Sequence, residues 1–245
     1  MAKAKIGTSG WHYQHWRGPY YPPSLSPRAM LDYYIRDFET VELNNSFYRL
    51  PSSETFEAWS KAVPVGFCFA VKGSRYLTHM KRLLDPAPAL DRLMEATQGL
   101  GGKRGPILFQ LPPNWRCNLE RLEAFLDALP PDVRFSIEFR DQSWHIPEVF
   151  GLLRKHNVAF CLFELAGFLS PLTVTASFVY VRLHGPGNKY QGDYSTPILR
   201  EWARRIRRWM RDGLDVYLYF DNDQAGYAAK NARDLKRMLT ANPRR

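Results

Sequence analysis

Short runs rich in β-branched and aromatic residues alternate with amphipathic stretches along the whole of this chain, and that rhythm constrains its fold more than anything else. The strand-like runs are 5–9, 39–44, 67–72, 106–111, 133–140, 158–163, 178–184 and 215–221. Helical periodicity fills 27–37, 53–62, 86–98, 118–129, 147–156, 196–212 and 225–240. Turn-forming residues mark the joins, as in Gly101-Gly102, Pro130-Pro131 and Asp212-Gly213. Alternating β and α elements build a parallel sheet with helices outside it. Eight such strands in 245 residues are the right size for closure, so the expected fold is a single (β/α)8 TIM-type barrel over residues 1–245. The sixth helix breaks the rhythm. Residues 164–177, with Gly167 and Pro171, predict a short or irregular segment.

Composition narrows the setting. The first strand-like run begins at Lys5, so no signal peptide is expected. No apolar run approaches the ~20 residues of a membrane helix, so no membrane partner is expected. Cys68, Cys117 and Cys161 are an odd number and read as buried free thiols in a reducing compartment, which points to the cytoplasm. The net charge of +10 is uneven, since residues 200–245 carry twelve Lys/Arg against six Asp/Glu. Along 199–211, Leu199, Trp202, Ala203, Ile206, Trp209 and Met210 form a helical apolar stripe, with arginines on the opposite face. That face fits either a solvated outer helix or a surface that tracks phosphates.

Side chains alternate between the two faces of a strand, so the apolar positions set the phase. If Phe67, Phe69 and Val71 meet the helices, Cys68, Ala70 and Lys72 point inward. The same reasoning turns Glu42 and Asn44, Gln110, and Ser136, Glu138 and Arg140 inward. It does likewise for Tyr180, Arg182 and His184, and for Tyr217, Tyr219 and Asp221. The expected interior is polar and gathers at the carboxyl ends of the strands, where TIM-type enzymes keep their chemistry. Buried charges need partners, so these groups either satisfy one another or hold a ligand. The loop Gly10–Pro22, starting at Trp11, is crowded with aromatics suited to stacking a ring or packing as a rigid cover.

Several phrases together resemble one known family: GTSGWHYQHWRGPYYP, ELNNSFYRLP, FAVKGSRYLTH, LFQLPP, IEFRDQSW, YVRLHGPGNKYQGDYS and YFDNDQAGYAAKNARDL. They are similar to the YecE-like family, a domain of unknown function (number seventy-two), over about residues 5–240. The resemblance implies a TIM-type barrel, with an architecture similar to xylose isomerases and endonuclease IV, and it brings no activity with it. The family phrase commonly reads YFNN where this chain has Tyr219-Phe220-Asp221-Asn222.

Lys72, Arg140 and Arg182 suit an anion such as phosphate or carboxylate. The expected function is therefore an enzyme of the hydrolase or isomerase class, acting by general acid–base chemistry on a phosphorylated or polyanionic substrate. Glu138, Glu42 and His184 are the candidate catalytic residues. Lys72, Arg140, Arg182, Asn44, Gln110, Trp11, Tyr219, Asp221 and Asn222 are the candidate substrate contacts. No metal ligand set or cofactor is assigned, and the partner is an anionic small molecule or a nucleic acid. The alternatives are a non-catalytic nucleic-acid-binding protein and a glycoside-active or single-metal hydrolase. Short nucleophile and zinc motifs such as Gly-x-Ser-x-Gly and His-Glu-x-x-His are absent.

Overall fold

A computed structural model describes residues 1–241. The fold is the expected TIM-type (β/α)8 barrel class, with eight parallel strands alternating with helices. The strands are β1 (Ala4–Thr8), β2 (Thr40–Leu43), β3 (Cys68–Lys72), β4 (Arg104–Gln110), β5 (Phe135–Glu138) and β6 (Ala159–Leu165). A two-residue strand, β7 (Phe168–Leu169), is followed by β8 (Phe178–Leu183) and β9 (Asp215–Phe220). By contact density the chain divides into two compact units.

The first unit comprises Met1–Glu42, Leu162–Ser170 and the described residues from Phe178 onward. Here β1 and β8 both pair in parallel with β9, with Ile6 opposite Leu218 and Arg182 opposite Tyr219. Beyond β1, Ser9 bridges to Glu42, and the Gly10 amide donates to the Glu42 carbonyl at 2.8 Å. Gly7 is required at this approach, because a Cβ there would lie 2.4 Å from the Thr40 carbonyl oxygen. The helix Thr196–Arg211 buries Leu199, Trp202, Ala203, Ile206 and Trp209, the predicted stripe. The helix Tyr227–Thr240 packs through Ala228, Ala229 and Ala232, small residues that allow a close seat.

No helix follows β6 among the described residues before Thr196. Instead β7 folds back antiparallel on the end of β6, with Leu165 opposite Phe168. The two residues between them, Ala166 and Gly167, have φ of 50° and 80°, the left-handed pair that a tight two-residue hairpin needs. Ser170 then exchanges hydrogen bonds with Phe163, its amide to the carbonyl and its hydroxyl from the amide, both at 2.9 Å.

The second unit comprises Leu43–Cys161 and Pro171–Ser177. In it β4 pairs with β3 and β5, and β5 pairs with the start of β6. The register sets Gln110 beside Glu138. Thr175 takes a ladder position against β6, accepting from the Phe160 amide and donating to the Val158 carbonyl, each at 2.7 Å. Helices Ser53–Lys61 and Leu119–Asp127 begin at side-chain caps, Ser52 and Asn118. Phe109 packs against Phe125 and Phe135 in the apolar layer beneath the strands. After β3 the chain enters a five-residue π-helix, Tyr76–Met80. Of the three thiols read as buried, Cys161 is buried, whereas Cys68 and Cys117 are half-exposed.

Candidate functional site

In the first unit the inward positions of β2, β8 and β9 meet directly. Glu42 and Arg182 are both fully buried, and the Arg182 Nη2 lies 2.8 Å from Glu42 Oε1 with Nε at 3.1 Å. The same Nη2 donates to Asp221 Oδ2 at 3.0 Å and to Ser9 Oγ at 3.1 Å. The Ser9 hydroxyl in turn donates to Glu42 Oε1, and the Tyr180 hydroxyl donates to Glu42 Oε2 at 2.7 Å. Burial, reinforced by the neighbouring Glu42 charge, pushes the Tyr180 hydroxyl well above its ordinary range, so it remains a donor. His184 bonds Asp221 Oδ2 through Nδ1 at 2.9 Å and faces Arg182 Nη1 through Nε2 at 3.4 Å. A carboxylate accepts and a guanidinium donates, so the imidazole proton sits on Nδ1 and Nε2 is the acceptor.

The other first-unit candidates surround this network. The Tyr219 hydroxyl and Thr40 Oγ1 are 2.8 Å apart. Asn222 is buried and donates from Nδ2 to the Gly192 carbonyl at 2.8 Å and to Asn231 Oδ1 at 2.9 Å, anchoring the loop after β8. Asp223 is pushed above the usual carboxylate range by burial and by Asp221. Its carbonyl accepts from the Trp16 indole at 2.9 Å. Within the aromatic loop, Trp16, Tyr20 and Tyr21 are buried against one another, which makes them a packed cover. Trp11 is half-buried, and its carbonyl accepts from the Tyr21 hydroxyl at 2.5 Å.

The second unit holds a charged group of its own. Glu138, fully buried at the end of β5, accepts from Arg140 Nε on Oε1, and the Cys161 thiol approaches Oε2 at 3.8 Å. Gln110 is half-buried beside Glu138 on the adjoining strand. At the end of β3, Lys72 Nζ lies 4.5 Å from the centre of the Phe47 ring, and the Lys72 carbonyl accepts from Ser46 Oγ at 2.7 Å. Asn44 opens the helical turn Asn45–Tyr48 that carries Phe47. The ring of His79 meets the same Phe47 edge to face at 5.1 Å. Partial burial lowers the basicity of His79, and Lys72, Arg75 and Arg140 lower it further, in that order. Arg75 and His79 are the residues that strand phase missed, because they lie beyond β3 in a segment without alternation. Among the described residues, no three His, Cys, Asp or Glu side chains gather as a metal-binding group, and no helix is long and apolar enough to cross a membrane.

The basic helix face is partly satisfied within the chain. Arg204 and Arg205 pair with Glu201, Arg205 lies 4.8 Å over the Trp202 ring, and Arg207 donates to the Met238 carbonyl. Replacing Arg204 and Arg208 with Gln is expected to change stability by less than about 0.5 kcal/mol each and to leave binding of a DNA oligonucleotide unchanged. A weaker affinity whose salt dependence flattens by about one power per arginine lost would reassign this face to phosphate contact.

The family model described as "Protein of unknown function DUF72" matches residues 5–245. The chain is 26% identical over 270 residues to the UPF0759 protein YunF of Bacillus subtilis (strain 168), which covers 96% of this chain and 94% of that protein. It is 28% identical over 111 residues to the UPF0759 protein YecE of Escherichia coli (strain K12), covering 45% of this chain and 41% of that protein. A DUF72 family crystal structure from Thermotoga maritima matches with a TM-score of 0.88 at 28% identity, covering 97% of this chain and 99% of that one. A second DUF72 structure, from Enterococcus faecalis, matches with a TM-score of 0.83 over 99% of both chains at 18% identity, a likeness of fold alone. The family match spans nearly every residue, and on that basis this chain belongs to the DUF72 family.

Proposed function

We propose that this protein is an enzyme that binds an anionic substrate, bearing phosphate or carboxylate, beside the carboxyl ends of β3 and β5 and acts on it by general acid–base chemistry. The observation that carries this reading is the meeting of Lys72 and His79 on the one ring of Phe47, in the unit that also holds the buried Glu138 paired with Arg140, with Lys72, Arg75 and Arg140 all lowering the basicity of His79. Three cations set against that carboxylate leave a local positive excess, which favours an anion. The position also agrees with the place where TIM-type enzymes keep their reacting groups. Lysine and arginine here supply complementary recognition, a compact point charge and a planar fork. Glu138 has a proton-transfer role, in a hydrolase or isomerase class of reaction.

Glu42 and His184 take a positioning role in this reading. Glu42 is tied to the fully buried Arg182 and to Ser9 and Tyr180, and both ring nitrogens of His184 are engaged by Asp221 and Arg182. With Arg182 and Asp221 they hold the ends of β2, β8 and β9 in place.

Titration with inorganic phosphate, followed by calorimetry, tests the reading. Wild type should bind, and Lys72→Met and Arg75→Met should each weaken binding by at least about tenfold, the equivalent of about 1.4 kcal/mol. Equal affinity in all three proteins would remove these cations from the site.

A further inference from the structure

The chain between β3 and the helix Ala87–Thr97 is the most unusual backbone among the described residues. It contains the π-helix Tyr76–Met80, a form that recurs as single turns at functional sites. Directly after it, Arg82, Leu83 and Asp85 have φ of 48°, 64° and 45°. Asp tolerates the left-handed region, but Arg82 and Leu83 are held in it without the Gly, Asn or Asp that normally occupies it. Such strain persists only where surrounding contacts over-determine it. Leu83 supplies those contacts, since it is buried and its amide donates to the Leu77 carbonyl at 2.9 Å. The segment therefore holds the π-turn, and His79 within it, in a fixed place.

The hydrogen bonds around His79 assign its proton. The Thr78 hydroxyl donates its single hydrogen to the Ser74 carbonyl at 3.1 Å. Its oxygen therefore acts as acceptor toward His79 Nδ1, which lies 3.0 Å away. The imidazole carries its hydrogen on Nδ1, and the lone pair on Nε2 makes no hydrogen bond among the described residues. The ring is half-buried and braced edge-to-face on Phe47, whose ring also carries Lys72. His184 has the same tautomer, but its Nε2 is engaged by Arg182.

We infer that His79 is a catalytic residue whose Nε2 touches the anion held by Lys72, Arg75 and Arg140, taking a proton from a hydroxyl of that ligand or from water and returning it to an oxygen of the product. This inference rests on the anion reading above. The charged groups that lower the basicity of the ring are Lys72 from β3, Arg75 from the turn after it and Arg140 from beyond β5, the last paired with Glu138. Together with burial they keep the free imidazole neutral and ready to accept a proton. A bound anion offsets those charges and raises the basicity of Nε2, so ligand binding itself prepares the base.

The test is an imidazole nitrogen NMR titration of the full chain, with and without inorganic phosphate, using His79→Asn to identify the signal. In the free protein His79 should show the Nδ1–H pattern and a midpoint below that of an ordinary histidine. Saturating phosphate should raise that midpoint by about one pH unit, and Lys72→Met should reduce the rise. Thr78→Val, which removes the acceptor, should mix the two tautomers. If phosphate binds to wild type and weakens in Lys72→Met while the His79 midpoint stays put, His79 has no part in the site and the anion reading survives. If phosphate fails to bind wild type, both the anion reading and this inference fall. An Nε2–H pattern in the free protein would overturn the inference by itself.

Discussion

Arg182→Met is expected to cost roughly 3–5 kcal/mol of stability at neutral pH, because it leaves buried carboxylates without their cation. Arg182 donates to Glu42 from Nε and Nη2 and to Asp221 from Nη2, and both Arg182 and Glu42 are fully excluded from water. Methionine fills much of the same volume, so the loss reports charge and not a cavity. The pH dependence separates this mechanism from a general packing defect. Carboxylates stranded without a cation inside a protein ionise less readily than they do in the unfolded chain. The stability of such groups is fully present below the unfolded pKa and is lost as pH rises through the folded one. The gap between variant and wild type should therefore shrink as pH falls. Urea unfolding of both proteins at pH 7 and pH 5 measures it. A loss below about 1 kcal/mol, or a gap that does not change with pH, would show that the network is not a closed ion cluster.

That network was legible in the sequence because strand phase is rigid. Once Val179, Val181 and Leu183 are assigned to the apolar face, Tyr180, Arg182 and His184 must share the other, and a slip of one residue would reverse them all. The contacts of Arg182 with Glu42 and Asp221 lie on that face. Which carboxylate each cation takes was not legible, since pairing depends on the register between strands distant in sequence. The turn after β3 was hidden for a different reason. Tyr76-Leu77-Thr78-His79-Met80 carries no mark of a π-turn, and Arg82 and Leu83 adopt left-handed backbone without the residues that announce it. His79 therefore reads in sequence as an ordinary loop histidine. The missing sixth helix was half visible. Gly167 and Pro171 announce a break, but the hairpin in its place needs Ala166 in a conformation alanine seldom takes.

Glu138→Gln should show whether the β5 end is a closed ion pair or part of an anion site. The Glu138 side chain is wholly buried, and that of its partner Arg140 is 7% exposed, so neutralising the acid removes the charge that a nearly buried guanidinium is paired with. The expected loss is again roughly 3–5 kcal/mol in phosphate-free buffer. If Arg140 also faces an anion, Glu138 competes with that anion for the same fork. Removing the carboxylate should then tighten phosphate binding, and phosphate should restore part of the lost stability, because a ligand that binds only the folded state stabilises it by RT ln(1 + [L]/Kd). Unfolding curves at increasing phosphate, with matched chloride as the ionic-strength control, make the comparison. The variant should gain more from phosphate than wild type does, and Arg140→Met in the same background should abolish the difference. Equal gains in wild type and Glu138→Gln, after a large loss in buffer, would leave Glu138 and Arg140 as structural partners alone. The anion site would then reduce to Lys72 and Arg75, and Glu138 would lose its place as a proton-transfer group.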